Sequence, residues 1–124
     1  MPYIEGFVIP VPRANKEAFV EASRQFDSLI MEEGALRILE CWEDDVPHGK
    51  HTDFYRAVDA QEDEAVAFSW IEWPDKTTRD TAHANMQERM KDDPLFDPEK
   101  NPPPFSGKRM IFGTFTPVLI LGDK

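Results

Sequence analysis

The run Ala65-Val66-Ala67-Phe68-Ser69-Trp70-Ile71-Glu72-Trp73, closed by Pro74, decides the fold. Its period of two reads as a strand, with Val66, Phe68, Trp70 and Glu72 on one face and Ala65, Ala67, Ser69, Ile71 and Trp73 on the other. Large and small residues segregate by face, and both faces are largely apolar, so the strand is expected to be covered on both sides. Downstream, Pro74 stops the strand and Asp75 is placed to cap a helix. In that helix Ala82, Met86 and Met90 recur every four residues down to about Asp92.

Upstream, Ala35 to Glu43 carries Leu36, Ile38, Leu39, Cys41 and Trp42 on both parities, a second strand with two covered faces. Before it, Asn15 is an expected N-cap, and Phe19, Ala22, Phe26, Leu29 and Ile30 fall on one face of a helix from Lys16 to Glu33. Gly34 stands where a left-handed C-terminal cap is expected. Ile4, Phe7, Val8 and Ile9 make a first strand from Tyr3, which Pro10 and Pro12 are expected to end by removing backbone donors. At the other end, five prolines between Pro94 and Pro104 predict a stiff, extended connection. Arg109 to Leu121 reads as the last strand.

The order is strand, helix, strand, strand, helix, strand. It is the ferredoxin-like βαββαβ plan, an α+β fold with a four-stranded antiparallel sheet and both helices on one face. Two helices cannot cover both faces of such a sheet, and an exposed apolar patch of that size marks an interface. A homodimer with two sheets face to face is therefore expected.

The length of 124 residues suits one domain over residues 1–124. Hydrophobic residues at 40% and charged residues at 31% exclude a disordered tail. The formal charge of −10 repels phosphate backbones and argues against a nucleic-acid partner. Half of that charge sits in a long connection from Asp44 to Glu64, where seven carboxylates face only Lys50 and Arg56. A connection of that length usually holds a short element or a function, and Asp53 to Val58 fits one helical turn. Its surface is a candidate contact for a basic protein, in a non-enzymatic or stress-related interaction module. Cys41 is the only cysteine, so no intrachain disulfide forms, and no apolar run nears the roughly 20 residues of a membrane-spanning helix. The start Met1-Pro2-Tyr3-Ile4-Glu5 lacks the basic and apolar regions of a signal peptide, and a cytoplasmic location is expected.

Several segments together resemble the YbaA-like bacterial family, a domain family of unknown function placed among the dimeric α/β-barrel proteins. They are Tyr3-Ile4-Glu5-Gly6-Phe7-Val8-Ile9-Pro10-Val11-Pro12, Gly34-Ala35-Leu36-Arg37, Glu40-Cys41-Trp42-Glu43-Asp44-Asp45-Val46-Pro47, Phe68-Ser69-Trp70-Ile71-Glu72-Trp73-Pro74 and Gly107-Lys108-Arg109-Met110-Ile111. The resemblance runs from Tyr3 to about Val118. It implies the ferredoxin-like fold, the dimer, and kinship with cofactor-independent monooxygenases and stress-response proteins of that superfamily. Glu43, Asp75 and Thr114 depart from the family's usual residues at their positions, as does the stretch Asp93-Pro94-Leu95-Phe96.

Three tryptophans offer flat surfaces for a planar ligand. The candidate ligand pocket, between the sheet and the two helices, is Glu40, Trp42, Trp70, Glu72 and Trp73. His83 and Arg109 are the candidate catalytic residues, able to orient or deprotonate a phenol. Satisfied core positions and cross-strand pairs explain the same residues equally simply. His48, His51 and Asp53 have the spacing of metal ligands, but a polar loop with incidental histidines accounts for them, and no metal or cofactor is expected. Cys41, flanked by Glu40 and Glu43, reads as a small buried hydrophobe rather than a nucleophile. The glycines never approach the spacing of a phosphate loop, which removes ATP and dinucleotide chemistry.

Overall fold

The structure, a computed structural model, describes residues 2–122. Four strands, β1 (Tyr3–Pro12), β2 (Arg37–Trp42), β3 (Glu64–Trp73) and β4 (Ile111–Phe115), form one antiparallel sheet in the order β2-β3-β1-β4. The helices are α1 (Lys16–Glu32), the short α2 (Phe54–Ala57) and α3 (Lys76–Met90). This is the expected ferredoxin-like α+β plan.

β1 runs through Pro10 to Pro12 instead of ending at Pro10. The reason lies in the edges of the sheet. β4 pairs with β1 only from Ile4 to Val8, so beyond Val8 the strand has β3 on one side and nothing on the other. Pro10 and Pro12 share a parity, and a missing donor on the open side costs no ladder hydrogen bond.

Odd residues of β1 and β3 face α1 and α3. One core cluster joins Ile30, Ile71, Trp73, Ala82 and Met86, and a second joins Ile9, Val11, Phe19 and Ala67. The small residues of β3, Ala65, Ala67 and Ser69, thus lie under α1 and α3, and the large ones, Phe68 and Trp70, are on the opposite, helix-free face. That face is free of helix except at one end, where Phe54 of α2 meets Phe68 edge-on at 6.0 Å. Of the predicted α1 stripe, Phe19 and Ile30 are buried, while Phe26 stays 39% exposed and meets Phe96 edge-on at 5.8 Å.

The caps divide. Asp75 accepts from the Thr78 N–H at 2.7 Å and Asp53 caps α2 through the Arg56 N–H at 2.8 Å. Asn15 occupies the N-cap position of α1 without capping it, because its amide donates to the Pro104 carbonyl at 3.0 Å and ties down the proline-rich connection. That connection is not wholly extended: Pro94–Phe96 make a single 3-10 turn. Gly34 holds the left-handed conformation at φ +112°, and a Cβ there would meet Thr78 Cγ2 at 2.8 Å. Gly34→Ala is expected to destabilise by about 1–3 kcal/mol in urea unfolding. A change below about 0.5 kcal/mol, within the range of neutral surface substitutions, would show that neither the backbone conformation nor the contact with Thr78 matters.

β4 ends at Phe115, six residues short of the expected Leu121. Pro117 cannot donate to a ladder. Beyond it Val118, Leu119, Ile120 and Leu121 are 99%, 73%, 58% and 83% exposed.

Candidate functional site

The seven candidate residues are divided between the two faces of the sheet. Trp73 is sealed in the core at 1% exposure, its Nε1 donating to Glu5 Oε1 at 2.8 Å. Glu5 also accepts from Arg79 Nη2 at 3.2 Å, so one carboxylate ties β1, β3 and α3 together. Trp42 packs against Phe19 at 6.1 Å, with the Lys16 ammonium 5.6 Å from its ring. Glu40 lies on the helix side, opposite Ser69 in register. Trp70 and Glu72 lie on the helix-free face, where Trp70 Nε1 donates to Glu72 Oε2 at 2.9 Å. His83 is exposed on α3, beyond the sheet from Trp70. Arg109 clamps Glu64 with two hydrogen bonds of 2.6 and 2.7 Å and reaches the Asp59 carbonyl at 2.9 Å. That clamp holds the Glu64 carboxyl below the usual carboxylate range.

The middle of the layer between sheet and helices, where the pocket was expected, is filled by the core clusters. Concavities open at the edge of that layer and on the other face of the sheet. The first is an open groove of about 520 Å³ between α1 and β2, walled by Val20, Ser23, Asp27, Met31, Ile38 and Glu40. Burial pushes the Asp27 carboxyl up to about 9, and the facing Glu40 adds to the rise by hydrogen bonding and repulsion. Glu40 also accepts from the Ser69 hydroxyl at 2.5 Å. At neutral pH Asp27 therefore keeps its proton, set beside Glu40.

The second concavity is a cleft of about 670 Å³ on the helix-free face, lined almost wholly by apolar atoms of β1, β3, β4 and the turn after β4. Its floor follows from two glycines in register, Gly6 on β1 and Gly113 on β4. Side-chain-free positions side by side leave a notch in the sheet, and the Phe115 ring closes on it, 3.4 Å from where a Gly113 Cβ would stand. Phe68, Trp70 and Ile111 supply the walls. Of the predicted pocket residues only Trp70 belongs to this cleft.

Sequence reasoning overlooked Asp27, Gly6 and Gly113. A signal existed for each: Asp27 is a carboxylate between Phe26 and Leu29 of the apolar stripe, and the glycines interrupt strands.

The acidic connection is more structured than its composition suggests. Asp53 caps α2 and accepts from the Gly49 N–H at 3.1 Å, while Glu64 is held by Arg109. Asp44, Asp45, Glu62 and Asp63 remain exposed. His48 stacks on Tyr55 at 4.6 Å with Nδ1 3.9 Å from Asp53, and His51 is exposed. Among the described residues no cluster of three metal-ligating side chains forms. Cys41 is half-buried, on the helix-free face opposite Phe68, rather than in the core. Glu43 accepts from the Val66 N–H and the Tyr55 hydroxyl, and Thr114 accepts from the Tyr3 hydroxyl, so these departures from the family pattern make defined contacts. Among the described residues no helix is long and apolar enough to cross a membrane.

The sequence profile of a family described as "Protein of unknown function (DUF1428)" matches residues 2–107. The protein described as "Uncharacterized protein YbaA" of Escherichia coli strain K12 is 47% identical over 119 residues, covering 96% of this chain and 98% of that protein. Its counterpart in Shigella flexneri gives the same values. Among solved structures, a dimeric ferredoxin-like protein from an uncultured marine organism superposes with a TM-score of 0.55 at 11% identity, covering 99% of this chain and 100% of that one. The last likeness is one of fold.

Proposed function

The chain belongs to the DUF1428 family, and from that premise we propose that it works as a homodimer, joined through the helix-free sheet faces, that holds a small planar apolar molecule over Trp70 and the Gly6–Gly113 notch. One observation carries this reading. The helix-free face exposes Phe68 at 43%, Ile111 at 45% and Phe115 at 63%, beside a cleft that has almost no polar wall. Exposed aromatic surface of this kind marks an interface or a ligand groove, and two such faces brought together would enclose the notch in each. The dimeric state of the marine ferredoxin-like protein supports a homodimer.

The chemistry of the cleft selects its ligand. Stacking surfaces are plentiful and charges are few, so a fused-ring phenol or quinone fits better than a sugar or a phosphate ester. Turnover of such a ligand with oxygen is the finer reading, tested by oxygen uptake on adding tricyclic phenols.

Binding of a tricyclic phenol, followed by quenching of tryptophan fluorescence, is expected below millimolar concentration. Trp70→Ala should weaken it at least tenfold, about 1.4 kcal/mol, and His83→Ala should leave it unchanged because α3 lies on the other side of the sheet. A stable 14.3 kDa particle at micromolar concentration would refute the dimer. Equal affinity in the wild type and Trp70→Ala would refute the cleft as the site.

A further inference from the structure

Building on the dimer just described, we propose that Val118–Leu121 of each protomer packs on the β2–β3 half of the partner's helix-free face, over Leu39, Cys41 and Phe68, so that the two tails are exchanged across the interface.

Val118, Leu119, Ile120 and Leu121, four consecutive apolar residues at 58–99% exposure, are left largely uncovered by the described residues. Each side chain, once fully buried, is worth about 1.5–3 kcal/mol. The segment starts at Thr116 and Pro117, which already form the rim of the cleft, so it is continuous with the proposed interface.

Four strands spaced about 4.8 Å apart, paired over some 20–30 Å, give a face on the order of 500 Å². A stable interface needs about 800 Å² from each partner. Four apolar side chains add roughly 300 Å² of accessible surface to what each partner buries, which brings the contact toward that size.

Charge points to a second copy as the occupant. Two chains of −10 can meet only where neither presents net negative charge. The charges that the strands carry on this face are Arg37 opposite Glu72, and Glu64, which Arg109 of the turn before β4 neutralises. The exposed acids Asp44, Asp45, Asp59, Glu62 and Asp63 lie in the connection between β2 and β3, outside the strands.

Symmetry then decides which half is covered. The tails leave the β4 edge, and β2 is the opposite edge. α2 covers one end of the β2–β3 half, where Phe54 meets Phe68 edge-on at 6.0 Å, and leaves Leu39, Cys41 and the rest of Phe68 partly open. With β4 stacked over the partner's β4, the two tails and the two clefts crowd together and that open part stays without a partner. With β4 stacked over the partner's β2, each tail meets it, and the two-fold axis satisfies both at once.

Cys41, the only cysteine, provides the test. Chains carrying Cys41→Ser together with a single cysteine at position 118, 119, 120 or 121 are mixed with wild-type full-length chains, re-equilibrated and oxidised. The expected product is a covalent pair containing one chain of each kind, identified by intact mass, from at least one of the four positions. Full-length Leu119→Asp/Leu121→Asp should also raise the dimer dissociation constant at least 100-fold while leaving the far-UV spectrum unchanged. If the wild type sediments as a dimer but no mixed pair forms and the double variant keeps the wild-type dissociation constant, the tail placement is overturned and the dimer stands. If the wild type sediments as a monomer, the dimer reading itself fails, and this inference with it.

Discussion

Trp73→Ala is expected to lower the unfolding free energy by about 3–5 kcal/mol and the melting temperature by roughly 10–20 °C. The size of the effect follows from position. Trp73 ends β3 at 1% exposure, packed with Ile30, Ile71, Ala82 and Met86, so its removal opens a cavity between the sheet and both long helices. It also takes away the 2.8 Å bond to Glu5, leaving a carboxylate at 8% exposure with Arg79 as its remaining side-chain partner. Trp73→Phe separates the two contributions: it keeps most of the volume and loses the donor, at about 1–3 kcal/mol. Thermal and urea unfolding of both variants is the measurement. Equal losses in the two would mean that the Glu5 bond, not the packing, dominates. A Trp73→Ala protein of wild-type stability would mean that the core is not closed by this residue at all.

Asp27→Asn is expected to act in the opposite direction and to depend on pH. The Asp27 carboxyl is raised to about 9 by burial and by Glu40. In the unfolded chain it ionises near the ordinary value of about 3.9. Between those two values the folded state holds more protons than the unfolded state, so stability falls as pH rises through the window and levels off above about 9. Asparagine keeps the shape and a hydrogen-bond donor toward Glu40 without a proton to lose. The variant should match the wild type near pH 4 and exceed it by about 1–2 kcal/mol near neutrality, once solvent screening at the groove mouth is allowed for. Its advantage should keep growing to about pH 9. Urea unfolding of both proteins at pH 4.5, 7 and 9 tests this, and taking the difference between them removes the acid-side losses from Glu64, Asp53 and Asp75, whose carboxyls are held low. A difference that is constant across pH would mean that Asp27 ionises normally in its groove.

Much of the architecture was legible in the chain because the forces that set it are local. The period of β3, the stripe of α1, the cap at Asp75 and the glycine at Gly34 each depend on residues a few positions apart. The excess of apolar strand surface over what two helices can cover was equally readable, as a count of residues on each parity. The candidate site was far less legible. The period of two put Trp70 and Trp73 on opposite faces, but it did not tell that one lines an open cleft while the other is sealed with Glu5, 68 positions away.

Sequence alone therefore determined the order of elements, the antiparallel ferredoxin-like plan and an acidic segment between β2 and β3, because hydrophobic period and capping act within a turn or a strand. Tertiary structure alone decided that Pro10 and Pro12 lie inside β1, since only the short reach of β4 leaves that edge free of ladder bonds. It also set Gly6 against Gly113, Asp27 beside Glu40 and Arg109 on Glu64. Those features come from groups that meet through space after the chain has closed on itself, and a carboxyl's proton or a notch in a sheet depends on such neighbours rather than on spacing along the chain.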